Sequence, residues 1–191
     1  MRIVAGSWRG RALRAPQGIE TRPTSDRVRE AVFSAIEARM GDIDGLRVLD
    51  AFAGSGAFGF EALSRGARSV VFIESDRRAR DTIVRNAEAF HASRSITVIP
   101  GDVFGLSSAR LRGGPFALLF VDPPYRIVPA QVSRFLEDLS SAGSLAEGAL
   151  VVYEHAARGV IQWPAGFEPL QERRYGITEV SYARYEGMQL S

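Results

Sequence analysis

The chain of 191 residues contains no cysteine, which excludes disulfide cross-links, thiolate nucleophiles and cysteine-ligated zinc together. Histidine is nearly absent too, with only His91 and His155, far apart in sequence, so no metal centre is expected. Lysine does not occur, and all 24 basic residues are arginine. Few groups therefore titrate between the carboxylates and arginine, which is how a sequence pI of 9.4 accompanies a net charge of only +2. No apolar run approaches the roughly 18 residues that span a bilayer. The opening Met1-Arg2-Ile3-Val4-Ala5-Gly6 lacks the apolar stretch of a secretory signal. A cytoplasmic monomer with no membrane partner is expected.

What is present is the composition of a soluble globular domain, with 46% hydrophobic, 9% aromatic and 24% charged residues. The length suits one domain rather than two. Charge is unevenly spread. Residues 1–30 hold seven arginines against Glu20, Asp26 and Glu30, a local charge of +4, whereas the rest carries seventeen arginines against nineteen acids. Arg2, Arg9, Arg11, Arg14, Arg22, Arg27 and Arg29 are the candidate contacts to a polyanion, because clustered arginines gain affinity by neutralising phosphates. A solvated surface hairpin is the plain alternative.

The opening reads as a short hairpin, Arg2–Ala5 and Arg11–Arg14 around Gly6-Ser7-Trp8-Arg9-Gly10, within an extension spanning 1–23; deleting 1–14 is expected to leave a protein that folds and keeps the glycine turn, Glu74, Asp102 and Asp122. The main domain, 24–191, starts with helix signals at Thr24-Ser25-Asp26 and an apolar face of Val28, Ala31, Val32, Ala35, Ile36 and Met40. Strands at 46–51, 69–73, 96–99, 116–121 and 149–154 then alternate with helices after Gly56, at 76–90 and at 129–139. The inner face of the second of these helices is read as Ala79, Ile83, Val84, Ala87 and Phe90. The tail reads as a hairpin, 171–175 and 179–185. This is an α/β pattern: a mostly parallel, doubly wound sheet closed by an antiparallel C-terminal hairpin.

Three segments carry chemistry. Gly54-Ser55-Gly56-Ala57-Phe58-Gly59 places G-x-G-x-x-G between the first strand and a helix, where bare backbone admits a ligand. Glu74 follows by 20 residues, at the end of the second strand, where a carboxylate accepts both hydroxyls of a ribose. The two make a nucleoside site. NAD is the rival ligand, but Asp50 ends the first strand where a dinucleotide would put its pyrophosphate, and a carboxylate there repels phosphate and attracts ammonium. Asp102 follows the third strand, placed to accept from an adenine amino group. S-adenosylmethionine has a sulfonium, an ammonium and no phosphate, and suits such an acidic pocket. Phe52, Gly54, Gly56, Ser75 and Val103 complete the expected cofactor-binding set with Asp50, Glu74 and Asp102.

Asp122-Pro123-Pro124-Tyr125 stands directly after the apolar fourth strand, at the carboxyl edge where ligands of open α/β sheets bind. The prolines stiffen the loop and leave carbonyls without N–H donors. With the Asp122 carboxylate they form an acceptor array for an exocyclic amine, and Tyr125 offers a ring on which a flipped-out base can stack.

In order and spacing, Asp50–Gly56, Glu74, Asp102 and Asp122–Tyr125 resemble the motifs of S-adenosylmethionine-dependent methyltransferases acting on base amino groups. Arg2–Gly6, Trp8–Arg11, the run Thr21-Arg22-Pro23-Thr24-Ser25-Asp26-Arg27-Val28-Arg29-Glu30 and the stretch Phe52–Ala67 resemble, more closely, the bacterial ribosomal small subunit methyltransferase D family. Phe58 and Phe60 stand where that family usually has leucines. The resemblance implies a Rossmann-like methyltransferase fold and N2-methylation of one guanine in 16S rRNA, with the small-subunit particle as partner. A DNA adenine-N6 methyltransferase, an NAD(P)-dependent oxidoreductase and a non-catalytic RNA-binding assembly factor are the competing readings. Trp8 is left open between stacking on RNA and packing under the hairpin.

Overall fold

The computed structural model describes residues 1–16, 26–106, 111–124, 126–156 and 161–187. Seven strands form one sheet: β1 (Arg47–Asp50), β2 (Ser69–Glu74), β3 (Ile96–Pro100), β4 (Phe116–Val121), β5 (Leu145–Ala156), β6 (Phe167–Tyr175) and β7 (Thr178–Tyr185). Their spatial order is β3-β2-β1-β4-β5-β7-β6. The first five run parallel, and β7 pairs antiparallel with β5 and β6. The chain reverses its direction of travel across the sheet between β1 and β4, and this switch opens a crevice at their carboxyl ends.

Period-two alternation decides which residues face which layer. Val48, Leu118, Phe120, Leu150 and Val152 pack under α1 (Asp26–Met40), α2 (Ala57–Ser64) and α3 (Arg77–Ala89). Leu49, Leu119, Val121, Val151 and Tyr153 point the other way, under α4 (Pro129–Ser141). β4 is therefore apolar on both faces, as a doubly covered central strand must be. β5 and β6 begin several residues earlier than the sequence suggests, at Leu145 and Phe167, because pairing with β4 and β7 recruits backbone whose side chains carry no strand signal.

Helix ends follow local chemistry. Asp76 caps α3 by accepting from the Ala79 N–H at 2.9 Å. Phe90 occupies the C-cap of α3, and His91 beyond it takes a left-handed φ of 58°. Val84, expected on the inner face of α3, is 44% exposed. It falls on the outer flank, beyond the stripe that Ala79, Ile83 and Ala87 bury. His155 is buried, with Nε2 2.9 Å from Ser181 Oγ, and joins β5 to β7. Among the described residues no helix is long and apolar enough to cross a membrane.

The opening arm departs most from expectation. It closes through one antiparallel bridge, Arg2 with Ala12, around a short 3-10 turn, Gly6–Trp8, rather than through paired strands. Nor does it stand apart from the domain. Ile3 and Leu13 are buried in the same cluster as α1, α2 and α3. The Val4 and Ala5 N–H groups donate to Glu61 of α2 at 2.8 and 2.9 Å, and the Trp8 N–H donates to Ser64 Oγ at 2.9 Å. The Trp8 ring stacks on Phe90, centroids 4.8 Å apart and planes 9° apart. That settles its role as packing within the protein. A side chain at Gly6, which has φ +79°, would lie 1.9 Å from the Ser64 carbonyl oxygen, so the turn touches α2 as closely as backbone can.

Candidate active site

A cavity of about 430 Å³ opens at the carboxyl ends of β1, β2, β4 and β5. The volume lies within the roughly 300–1,000 Å³ typical of small-ligand pockets. Its walls include Asp50, Phe52, Gly54, Glu74, Ser75, Asp102, Val103, Asp122, Pro123 and Pro124. Segments as far apart in sequence as Asp50 and Pro124 thus meet at one site. Tyr125 lies outside the described residues.

Each wall has a local cause. After β1 the chain turns through Gly54 (φ +53°) and Gly56 (φ +79°). A side chain on Gly54 would meet nothing within 4 Å, whereas one on Gly56 would sit 2.8 Å from the Phe60 ring. Gly54 therefore presents bare backbone to the cavity. Gly56, although expected to contact the cofactor, is not among the walls: it is buried at the N-cap of α2 and serves to make the turn. The Gly54 N–H donates to Glu74 Oε2 at 2.7 Å, and the Asp76 N–H donates to Oε1 at 2.8 Å. One carboxylate thereby ties the glycine turn to the start of α3. Asp102 accepts from the Phe104 N–H at 3.1 Å, and the Phe52 and Phe104 rings lie 5.8 Å apart, closing that side. In the Asp122 loop the Pro124 carbonyl accepts from the Ile127 N–H at 2.9 Å. That bond closes a turn within the loop.

The electrostatics are those of crowded carboxylates. Pairing of Val121 with Tyr153 brings Asp122 beside Glu154, one residue further along each strand. Asp50 accepts from the Gly59 N–H at 3.1 Å. Burial, together with the charge on Glu74, nevertheless pushes its carboxyl up to about 7. Asp122 is held well above the usual carboxylate range, chiefly by burial and then by the charges of Glu154 and Asp50. A cation in the cavity would relieve this repulsion, and a phosphate would aggravate it.

Glu154 belongs to this cluster and was not singled out in the sequence. The available signal is an acid ending an apolar strand, Val151-Val152-Tyr153-Glu154, the same pattern that marks Asp50 and Asp122. Arg126 and Ile127 continue the wall after the proline loop. Met1 reaches it from the arm, with Sδ 3.8 Å from Ser55 Oγ. Nothing local in the sequence announces Met1.

The seven arginines proposed for a polyanion separate. Arg2, Arg9, Arg11, Arg14 and Arg27 are exposed, and Arg22 lies outside the described residues. Arg29 does not belong with them, because it is fully buried. Its Nη2 donates to the Arg2 carbonyl and lies 2.9 Å from Asp26 Oδ1, while Nε is 3.5 Å from Glu61. It locks the arm to α1 and α2, a role that follows from the inward flank it occupies on α1 beside Val32 and Phe33. Arg11, although exposed, donates to the Ala89 carbonyl and lies over the Phe90 ring at 4.8 Å.

A sequence family described as conserved hypothetical protein 95 matches residues 1–184. The chain is 35% identical over 187 residues to the ribosomal RNA small subunit methyltransferase D of Escherichia coli strain K12, covering 97% of this chain and 89% of that one. To the protein of the same name from Haemophilus influenzae it is 34% identical, covering 97% and 93%. The solved structure of the Escherichia coli protein yhhF superposes with a TM-score of 0.81 at 33% identity, covering 98% and 99% of the two chains.

Proposed function

The chain belongs to the ribosomal RNA small subunit methyltransferase D family and has its Rossmann-like methyltransferase fold; from that premise we propose that it is an S-adenosylmethionine-dependent rRNA methyltransferase, acting on the exocyclic N2 amine of one guanine in 16S rRNA within an assembled small-subunit particle. The observation that carries this reading is a single cavity in which a glycine turn and ribose-type acceptor meet an acceptor loop, ringed by carboxylates.

The residues present fit a cationic nucleoside. Glu74 would hold the ribose hydroxyls, Asp102 and the Val103 N–H the adenine edge, and Asp50 the ammonium end, where its own ionisation is unfavourable until a positive charge arrives. S-adenosylmethionine, when bound, supplies an electrophilic methyl group on a positively charged sulfur.

The target amine is conjugated with its ring and weakly nucleophilic. Accepting its two N–H bonds at Asp122 and the Pro123 carbonyl holds the nitrogen lone pair out of the ring system. The same contacts stabilise the positive charge that develops as nitrogen gains a methyl group. One proton must leave that nitrogen afterwards; methylation makes it acidic enough to pass to solvent without a dedicated base. Most of the rate enhancement then comes from positioning, which two prolines in a row favour by stiffening the loop.

The test is incubation with labelled S-adenosylmethionine and undermethylated small subunits, followed by mapping of the labelled nucleotide. The expected product is one N2-methylguanine in 16S rRNA. Label on DNA adenine alone, or tight NAD binding without S-adenosylmethionine binding, would overturn the reading.

A further inference from the structure

The acidic cavity poses a problem for a nucleic-acid substrate, since its carboxylates repel the phosphates on either side of any base that enters. The attraction must come from outside the cavity. The exposed arginines of the arm are one source, and α3 carries another.

α3 starts at the cavity, where Asp76 and Ala79 form part of the wall, and ends beside the arm. There Asn86 accepts from the Arg14 N–H at 3.0 Å and donates to the Arg14 carbonyl at 3.1 Å. Arg78 and Arg85 are exposed on this helix. Seven residues apart, they fall within about 20° of each other around the axis and about 10 Å apart along it. Asn86, which anchors Arg14, lies on the adjoining flank. Asp81 and Glu88 lie about 40–80° away in the opposite sense. Neither Arg78 nor Arg85 pairs with a carboxylate among the described residues. Arg80 of the same helix behaves differently, donating to the Glu74 and Ser75 carbonyls and so belonging to the cavity rim.

We propose that Arg78 and Arg85, continued by Arg14, form a track that binds the phosphodiester backbone of the RNA strand flanking the target nucleotide and leads it to the cavity mouth. The inference rests on the rRNA-methylating reading above. The track supplies affinity and register and takes no part in the chemical step, because phosphate contacts position a nucleic acid without reading its bases.

The test compares the full chain with the double variant Arg78→Gln/Arg85→Gln, and with a control, Arg173→Gln/Arg174→Gln. The control removes the same charge from β6, at the opposite edge of the sheet. Binding to undermethylated small subunits is measured across salt concentrations, alongside methyl-transfer kinetics and calorimetric S-adenosylmethionine affinity. For the α3 variant the log–log salt slope should flatten by about 1.5, near 0.7–0.9 per lost contact. KM for the particle should rise at least about tenfold, with kcat and cofactor affinity within about twofold. The control should match the unaltered chain. An unmoved slope and KM in the α3 variant would overturn the track, as would an equal effect in the control. If the unaltered chain methylates no rRNA, the functional reading itself fails, and the track with it.

Discussion

At the scale of single residues, the carboxylates of the cavity make the sharpest predictions. Asp122, proposed to accept from the target amine, lies outside the glycine turn, so its loss should affect the chemical step more than cofactor affinity. Asp122→Ala is expected to lower single-turnover methyl transfer by at least about a hundredfold, the scale of removing one transition-state hydrogen-bond partner. Cofactor affinity should stay within about tenfold, and persistence of turnover within a few-fold would show that another group orients the amine. Asp50 predicts a pH dependence. Its carboxyl, raised to about 7 in the fold from an ordinary 3.8, keeps a proton that the unfolded chain releases. The free chain therefore loses stability as pH rises from about 4 to about 7, and the loss is complete above that. A cationic ligand reverses the effect, since it favours the ionised form. Calorimetric affinity for S-adenosylmethionine should accordingly increase between about pH 5.5 and 7, and Asp50→Asn, which keeps an acceptor for the Gly59 N–H, should flatten the increase. A pH-independent affinity in the unaltered chain would contradict the assignment of Asp50 to the cation.

At the scale of elements, the contact of α2 with β2 shows how the glycine motif serves the sheet as well as the ligand. Gly59, the third glycine, has an ordinary helical backbone, yet a side chain there would lie 2.2 Å from the Phe72 ring and 2.8 Å from Val70. Both neighbours are buried, so the helix would have to lift from the strand. Gly59→Ala gains about 1 kcal/mol in helix propensity and should still destabilise the protein by about 1–3 kcal/mol through overpacking. Urea unfolding measures the difference, and a stabilised variant would show that α2 can shift freely. β1, β4 and the second half of β5 are plain in the sequence as near-continuous apolar runs because those strands are buried on both faces. The starts of β5 and β6 were not legible, because exposed residues such as Glu147, Gly148, Glu168 and Pro169 enter the sheet only through backbone pairing.

At the scale of the whole molecule, the basic arm is part of the domain that carries the site. Deleting residues 1–14 would remove buried Ile3 and Leu13, uncover Phe90, strip two N–H donors from Glu61 and take Met1 from the cavity wall. The truncated protein is expected to unfold or to lose cofactor binding, so deletion does not isolate the arm's contribution to RNA affinity. A point change tests the latch directly. Glu61→Ala takes from Arg29 its buried carboxylate, leaving only Asp26, and should cost about 3–5 kcal/mol, the scale of breaking a buried ion pair. S-adenosylmethionine affinity should fall with it, since Met1 is held in place by the same latch. Unfolding free energy within about 1 kcal/mol of the unaltered chain would mean that the arm is held by its apolar contacts and its bonds to Ser64 and Asn86.

The sequence by itself determined the alternating α/β order, the glycine turn, and the placing of Glu74, Asp102 and Asp122 after their strands, because each is written in local pattern: apolar runs in buried strands, glycine at left-handed φ, acids at strand ends. Tertiary structure alone decided which of these residues share a cavity and what the arginines do. Arg29 and Arg27 are equal as sequence, two positions apart in one basic run. Helical geometry turns one inward, onto Glu61 and the Arg2 carbonyl, and leaves the other in solvent. Glu154 and Asp122 are 32 residues apart and become neighbours only through the register of β4 with β5. A local pattern fixes what a residue can do chemically, and the fold fixes what surrounds it, which is where burial and charge repulsion arise.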